Sequence, residues 1–176
     1  MRPHPTRAAL LAAGTARSTV TLVGATGHQH LPAEFIPTIV HEVRSRLSLL
    51  EPSLTGVCSL AAGADQLFAE QVLSLGGNLR VIVPSQGYKS TFEEGDLEHY
   101  RQLLNGAETV EILQFASPAE AAFLGAGQRV VELSDLLLCI WDGESAKGLG
   151  GTADVVAHAR DCGKPTIVIW PPGASR

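Results

Sequence analysis

The chain has 176 residues, of which 45% are hydrophobic and 18% are charged, and its formal net charge is −5. This length predicts one domain, and an apolar fraction of this size excludes an intrinsically disordered chain. The acidic balance offers no basic face and therefore disfavours nucleic acid as a partner. The spacing of Cys58, Cys139 and Cys162 indicates neither a disulfide framework nor a metal site, so we expect three buried thiols in a reducing compartment.

Residues 1–17 contain two early prolines, three arginines and a short apolar patch at residues 8–13. They predict a flexible leader or a short docking arm, with a secretory signal as the lesser alternative. The patch is far too short to cross a bilayer, and no other segment of the sequence is long and apolar enough. We therefore expect a cytoplasmic protein without membrane contact, in which residues 18–172 form one domain and residues 173–176 a tail.

A first strand is predicted at residues 20–23 and leads into a turn of small residues. Gly24, Thr26, Gly27 and His28 in this turn are candidate ligands of a phosphate or a ribose, although glycines also end strands for purely structural reasons. The helix that follows is predicted from its apolar residues, which recur at intervals of four and three up to position 50.

The second strand is predicted at residues 55–60 and ends in a turn that carries Gly63, Ala64 and Asp65 as candidate ligand residues. Asp65 lies in the first turn of the following helix, where the helix dipole favours a carboxylate. The same position at the carboxyl edge of the sheet suits a ribose-binding or catalytic carboxylate, and the sequence leaves both roles open. Gly76 is expected to take the left-handed conformation after this helix ends.

The third strand is predicted at residues 79–83, ended by Pro84, and a polar segment with Tyr88 and Phe92 follows it. Pro84 and Tyr88 are further candidate ligand residues. Tyr88 either stacks on a base or, as we favour, covers the core. The next strand, at residues 109–113, is short and partly polar, which predicts an edge strand.

The second half of the chain carries the strongest local signals. Residues 117–120 (SPAE) fit a capping box with proline at the first helical position, so a helix is predicted from there to about residue 133. Six apolar residues at 136–141 predict a strand that is buried on both faces, as in a parallel sheet. A loop, a helix at 152–162 and a last strand at 166–170 follow. The candidate ligand residues of this loop are Asp142, Gly143, Gly150, Gly151 and Thr152.

This loop predicts an anion site. The amides of Gly150 and Gly151 can approach a phosphate closely because glycine has no Cβ. The helix that begins near Thr152 adds the positive end of its dipole. The Thr152 hydroxyl can donate to a phosphate or cap the helix, and these roles are compatible. Asp142 begins an Asp-Gly turn, a structural role that we favour over catalysis.

Strands and helices alternate along the chain at the spacing of βαβ units. The predicted fold class is therefore α/β, a three-layer sandwich with a mostly parallel sheet and helices on both faces. We expect the first strand at the centre, strands two and three on one side of it and strands five and six on the other. The loops at residues 24–28, 62–65 and 142–154 would then meet at the crevice between the first and fifth strands.

Four segments together resemble the SLOG superfamily. They are VGATGHQHL, SLAAGADQLFAE, VIVP with the aromatics after it, and SDLLLCIWDG with GLGGTADVVAHAR, and they span about residues 20–170. SLOG domains are Rossmann-like and are related to the LOG phosphoribohydrolases and to the DNA-processing DprA fold. The resemblance implies a nucleotide or nucleotide-derived ligand with its phosphate at Gly150, Gly151 and Thr152. It also implies a homodimer or higher homo-oligomer, and no cofactor or metal is expected.

The sequence departs from the LOG pattern at its catalytic position. LOG enzymes, which hydrolyse the N-glycosidic bond of a nucleoside 5′-monophosphate, carry PGGxGTxxE, with a carboxylate three residues after the threonine. Val155 holds that position here, and Asp154 lies one residue early, about 100° around the helix. The proline of the motif is missing, with Leu149 before the two glycines, and Gln29 follows His28 where many relatives have arginine.

We therefore predict a module that senses or binds a nucleotide-derived ligand through the GLGGT loop. The alternative is a LOG-like glycosidic hydrolase, which needs a carboxylate to activate water and to stabilise the cationic sugar. Asp65 and Asp154 are the candidate catalytic residues for that alternative, and the sequence leaves open whether the protein is an enzyme. A DprA-related domain that contacts nucleic acid is the third hypothesis, which the acidic charge disfavours.

Overall fold

A computed structural model describes residues 21–50, 52–145 and 150–175. The leader predicted at residues 1–17 lies outside the described residues, as do residues 146–149 of the glycine loop, including Leu149. The strands are β1 (Thr21–Gly27), β2 (Leu54–Cys58), β3 (Asn78–Ser85), β4 (Thr109–Phe115), β5 (Leu136–Ile140) and β6 (Thr166–Ile169). The helices are α1 (Ile36–Leu47), α2 (Ala64–Ser74), α3 (Glu94–Asn105), α4 (Glu120–Leu133) and α5 (Thr152–Asp161).

The six strands form one sheet in the order β4-β3-β2-β1-β5-β6, and every neighbouring pair is parallel. This confirms the predicted α/β class, the central position of β1 and the edge position of β4. The chain adds β2, β3 and β4 on one side of β1 and then returns to add β5 and β6 on the other. The carboxyl ends of β1 and β5 therefore border the switch point, where open α/β sheets leave a crevice.

Helices cover the sheet on both faces because its central strands are apolar on both faces. Leu136, Leu138 and Ile140 of β5 enter one core with α1, α2 and α3. Leu137 and Cys139 enter the other core with α4 and α5. The apolar run in the sequence thus confirms its interpretation as a strand that is buried on two sides.

Strand β1 extends further than its sequence predicts. Gly24 through Gly27 continue the ladder with β5, in the register Gly24↔Leu137 to Gly27↔Ile140. A Cβ at Gly24 would overlap the Ser134 hydroxyl, so the small residue permits close packing inside the sheet. The prediction of a turn from Gly24 onward was wrong, because these small residues serve strand packing and the turn begins only at His28.

The start of α4 also differs from the prediction. The N-cap is Ala119, with extended dihedrals of −115° and 175°, and no side chain caps the helix. Ser117 lies in a short turn in which its carbonyl accepts the Ala119 N–H at 2.9 Å, and Pro118 lies against Gly87, where a Cβ would meet it at 3.2 Å. The capping-box interpretation was therefore wrong, since the chain turns helical two residues later.

Two smaller predictions have different outcomes. Gly76 has a φ of 74° after α2, as its position at a helix end indicated. The expectation of three buried thiols fails at Cys162, which is exposed at the end of α5, whereas Cys58 and Cys139 are buried in strands.

Candidate functional site

The loops after β1 and β2 are joined at the carboxyl edge of the sheet. The Ala64 N–H, at the start of α2, donates to the His28 carbonyl at 3.0 Å. Gly63, the N-cap of α2, has a φ of 76°, and a Cβ there would overlap the Gln29 carbonyl. Only glycine fits this position, because the left-handed region and the backbone contact both exclude a side chain. The two loops are consequently held in one fixed arrangement.

The loop after β5 contacts the same place through a histidine–aspartate pair. His28 Nε2 lies 2.9 Å from Asp142 Oδ1, and the two side chains are only 10% and 9% exposed. The ring of Trp170, which follows β6, meets the His28 imidazole edge-on with 5.3 Å between the ring centroids. Asp142 Oδ1 also accepts the Glu144 N–H at 2.9 Å, which is the turn-forming role expected for this residue.

Asp65 is buried in the first turn of α2, where it contacts the loop that follows β2. It is 6% exposed, and its Oδ2 accepts the Ser59 N–H at 3.0 Å. Burial raises the pKa of Asp65 to about 7, although hydrogen bonds from the backbone of Ser59 and Ala61 act in the opposite direction. Leu60 between these amides has a φ of 56°, a conformation that costs energy for a branched residue, and Gln66 donates to its carbonyl at 3.3 Å. The Asp65 carboxylate thus links the turn that contains Leu60 to the first turn of α2 through a hydrogen bond.

Burial raises the pKa of the Cys58 thiol and of the Tyr88 hydroxyl, and the Asp65 charge raises both further. The three groups therefore share one poorly solvated region behind the edge of the sheet. A thiol and a phenol in such surroundings stay protonated, so neither has the character of a nucleophile.

The glycine loop before α5 lies against the first turns of α4. Gly150 has a φ of 81°, and a Cβ there would lie 2.8 Å from the Glu120 carbonyl and from the Leu124 amide. Its own N–H donates to Asp154 Oδ2 at 2.9 Å. Asp154 therefore reaches back from the helix to the loop that precedes it.

The start of α5 has backbone N–H groups that the helix does not use. Gly151 is the N-cap, with no side-chain hydrogen bond to cap the helix, and Thr152 is the first helical residue. The first hydrogen bonds to the Gly151 carbonyl come from the amides of Asp154 at 3.0 Å and Val155 at 3.3 Å. The amides of Thr152 and Ala153 precede these two and have no acceptor within the helix, as at every helix start. This is the local geometry on which anion binding at helix ends depends.

Several predicted site residues lie elsewhere. Tyr88 is 4% exposed in an aromatic cluster with Phe92 at 4.9 Å and Tyr100 at 5.8 Å between ring centroids, so it covers the core, as we favoured from the sequence. Pro84 lies within β3, where the ladder to β4 shifts register. Gly24 lies in the interior of β1.

The two candidate catalytic carboxylates lie on different faces of the sheet. Asp65 belongs to α2, whose residues join the first core, and Asp154 belongs to α5, whose residues join the second. Thr26 and Gly27 lie half-buried at the end of β1, and Gly143 has a φ of 88° in an open turn. The described loops thus bring together His28, Ala64 and Asp142, with Trp170 as a neighbour that the sequence did not indicate.

The described residues contain neither a candidate metal site nor a candidate membrane span. In this part of the chain no three His, Cys, Asp or Glu side chains are close enough to hold a metal ion. None of the helices in residues 21–50, 52–145 and 150–175 has the length and apolar character needed to cross a bilayer.

The fold has known counterparts, although no family model and no curated protein matches the sequence. DNA processing protein A (DprA) of Helicobacter pylori, solved for its single-stranded DNA binding mode, has a TM-score of 0.65 at 16% identity, over 89% of this chain and 69% of its own. DprA of Streptococcus pneumoniae has a TM-score of 0.62 at 17% identity over 88% of this chain, which spans 51% of that protein. The protein TM1055 has a TM-score of 0.54 at 16% identity, over 83% and 72%.

These similarities correct one expectation from the sequence. The acidic net charge of −5 disfavoured nucleic acid as a partner. Yet the H. pylori structure was solved for the single-stranded DNA binding of a protein with this fold, so disfavouring nucleic acid on net charge was wrong. Net charge averages over the whole surface, whereas a phosphate is bound by a few local amides and helix ends. The sheet order and these structural neighbours together show that the chain has a Rossmann-like α/β fold, which it shares with the two DprA proteins and TM1055.

Proposed function

We propose that this chain is a binding module for a nucleotide or a nucleotide-derived ligand, held at the carboxyl edge of the sheet with its phosphate at Gly150, Gly151 and Thr152. The observation that carries the proposal is the convergence of three loops at the β1–β5 switch point. His28 contacts both Ala64 and Asp142 there. Such crevices are where open α/β sheets bind their ligands.

The start of α5 supplies the attraction for the phosphate. The Thr152 and Ala153 amides are not used by the helix, and the helix dipole places partial positive charge beside them. Gly151 has ordinary dihedrals of −72° and 170° and no side chain, so an anion can approach its backbone. Asp154 limits the attraction, because its carboxylate already accepts the Gly150 N–H.

Binding without bond cleavage fits the carboxylates better than hydrolysis. A glycosidic hydrolase needs a carboxylate that faces the sugar and water. Asp65 is buried against Ser59, and Asp154 is engaged by Gly150. Both act on the backbone of their own loops, which is a structural role, so we place the hydrolase alternative second to binding.

The proposal is tested by placing a charge at the anion site, at a residue whose φ of −72° any amino acid can adopt. Gly151→Asp adds a carboxylate at an N-cap, where aspartate is a favourable residue. Titration calorimetry with adenosine and guanosine 5′-monophosphates should show at least about tenfold weaker binding than in the wild type, because the new carboxylate occupies and repels the phosphate site.

Gly151→Asn is the matched control, since asparagine caps as well as aspartate and carries no charge. It should bind within a few-fold of the wild type. The proposal fails when the wild type binds nucleosides as tightly as nucleotides, or when the Asp and Asn variants bind equally.

Single-stranded DNA is the second candidate ligand, and the similarity to H. pylori DprA favours it. The same amides would then bind a backbone phosphate. Because the chain is acidic and this site neutralises few phosphates, affinity for a fluorescent 12-nucleotide strand should fall with salt along a shallow log–log slope, about −1 to −2. Gly151→Asp should weaken this binding as well, and equal binding of double-stranded DNA would argue against the candidate.

A further inference from the structure

An open groove of about 330 Å³ lies at the carboxyl ends of β3 and β4. No residue of its lining carries a charge. The lining consists of Gln86, Leu113, Gln114, Phe115 and Ala116. Phe115 is 39% exposed, which is unusual for a phenylalanine that lies beside a core.

The Phe115 ring is held in place from one side. A Cβ at Gly125 of α4 would lie 2.7 Å from the ring atoms Cε2 and Cζ, so the glycine makes room for the ring against the helix. Phe115 also lines the groove. A ring fixed in this way can stack on a flat ligand at a low cost in side-chain entropy.

The groove offers the groups that recognise a neutral heterocycle. Each glutamine amide carries donors and an acceptor, and Phe115 with Leu113 supplies an apolar surface for stacking. Gln114 lines the groove, and its Nε2 donates to the Ile112 carbonyl at 3.4 Å, a long hydrogen bond that holds the amide weakly. This combination suits a nucleobase, which has a π-face and an edge of donors and acceptors.

The groove and the glycine loop flank the same helix turn. Gly150 approaches the Leu124 amide, and Phe115 approaches Gly125, the next residue of α4. Both features therefore contact neighbouring residues of α4 near the carboxyl edge of the sheet.

We propose that this groove is a base-binding site, in which a nucleobase stacks on Phe115 and hydrogen-bonds to Gln86 and Gln114. The inference rests on the proposed function, because the phosphate of the same ligand would lie at Gly150, Gly151 and Thr152. It assigns the base to the β3–β4 end of the sheet, away from the β1–β5 switch point.

The test compares ligands with and without a base. Calorimetry with adenosine 5′-monophosphate should show binding about 5- to 100-fold weaker in Phe115→Ala than in the wild type, the range seen when a stacking aromatic is removed. Ribose 5-phosphate should bind both proteins equally. Phe115→Leu keeps apolar packing on Gly125 but loses the stacking face, so it should resemble Phe115→Ala.

Ile112→Ala is the matched control, because Ile112 is a 45% exposed residue of the same strand that does not line the groove. It should bind the nucleotide as the wild type does. Single-stranded DNA is tested by photo-crosslinking. A 12-nucleotide strand that carries 5-iododeoxyuridine should crosslink to a peptide that contains Phe115. The crosslink should disappear in Phe115→Leu.

The outcomes separate the two proposals. When the wild type binds nucleotide and Phe115→Leu binds it equally, the base site is wrong and the phosphate site stands. When the wild type binds neither nucleotide, ribose 5-phosphate nor the DNA strand, the proposed function fails and the base site fails with it.

Discussion

The loop between β2 and α2 and the loop between β5 and α5 are built from the same local pattern. Each follows a strand that is buried on both faces, and each leads to a helix whose N-cap is a glycine without a side-chain cap. Each helix also has an aspartate in its first turn, Asp65 or Asp154, which accepts a backbone N–H of its own loop. Their surroundings are different.

The N-cap glycine of α2 is enclosed by its neighbours, whereas the N-cap glycine of α5 has ordinary backbone dihedrals. Gly63 has a φ of 76° and lies directly against the Gln29 backbone, whereas Gly151 has a φ of −72°, which any residue can adopt. Asp65 is buried, and Asp154 is part-buried. The comparison indicates that one copy of the pattern is a structural joint and the other is the candidate anion site. What packs over a loop, rather than its local sequence, decides which role it takes.

The largest loss of stability is expected at Gly63, where the loop between β2 and α2 packs against the Gln29 backbone. Gly63→Ala should lower the free energy of unfolding by about 3–5 kcal/mol, because it combines a left-handed residue with overlap of the Gln29 carbonyl. Gly76→Ala is the matched control: its φ of 74° is similar, but no atom lies within 4 Å of an added Cβ. It should cost only about 1–2 kcal/mol. Urea unfolding measures both, and equal losses would show that the contact with Gln29 adds nothing.

The second effect concerns the buried carboxylate. Burial raises the pKa of Asp65 from 3.8 to about 7, so the folded state holds the proton more tightly than the unfolded state. This group therefore stabilises the fold most below about pH 4, and its contribution is lost as pH rises toward 7. The loss is on the order of 2–4 kcal/mol.

Asp65→Asn should remove this dependence, since the amide is neutral and its oxygen can still accept the Ser59 N–H. Urea unfolding at pH 4.5 and pH 8 should show the variant gaining stability relative to the wild type as pH rises. Parallel pH profiles for the two proteins would mean that Asp65 is ionised in the folded state without cost.

The third effect concerns the contact that links the first loop region to the second. His28 and Asp142 are nine-tenths buried and 2.9 Å apart. A double-mutant cycle of His28→Ala and Asp142→Ala should give a coupling energy of about 1–2 kcal/mol. Asp142→Ala should cost more than His28→Ala, because Asp142 Oδ1 also accepts the Glu144 N–H. A coupling near zero would mean that the loops meet without stabilising each other.

The sequence predicted the parts of the fold that depend on periodicity. The apolar run at residues 136–141 indicated a strand that is buried on both faces, and alternation of strands and helices indicated the parallel sheet with β1 at its centre. From that order, the meeting of three loops at one edge follows, because the carboxyl ends of parallel strands share an edge.

What the sequence did not predict depends on contacts between distant residues. Gly24 resembles a turn residue, but it is a packing residue because Ser134 and Leu137 approach it. Neither the ring contact of Trp170 with His28 nor the burial of Asp65 has a local signal. The SPAE segment fits a capping box, yet Pro118 lies against Gly87 and the helix begins later. Side-chain roles in loops are fixed by tertiary packing, which no short motif records.

The smallest expected effect is a change in phosphate affinity on substitution of Asp154, in the first turn of α5. Asp154→Asn keeps an oxygen that can accept the Gly150 N–H, and it removes a negative charge from the start of α5. Phosphate should then bind about 2- to 5-fold more tightly, since a charge near a helix start is worth about 0.3–1 kcal/mol. Inorganic phosphate and adenosine 5′-monophosphate, measured by calorimetry, should gain equally, because the change acts on the phosphate alone. A catalytic Asp154 would behave differently: the variant would abolish release of free adenine from the nucleotide, and that release would have to be seen first in the wild type. Tighter binding in Asp154→Asn, with no adenine released by either protein, would identify the two aspartates as loop tethers that differ only in how far water and anions can reach them.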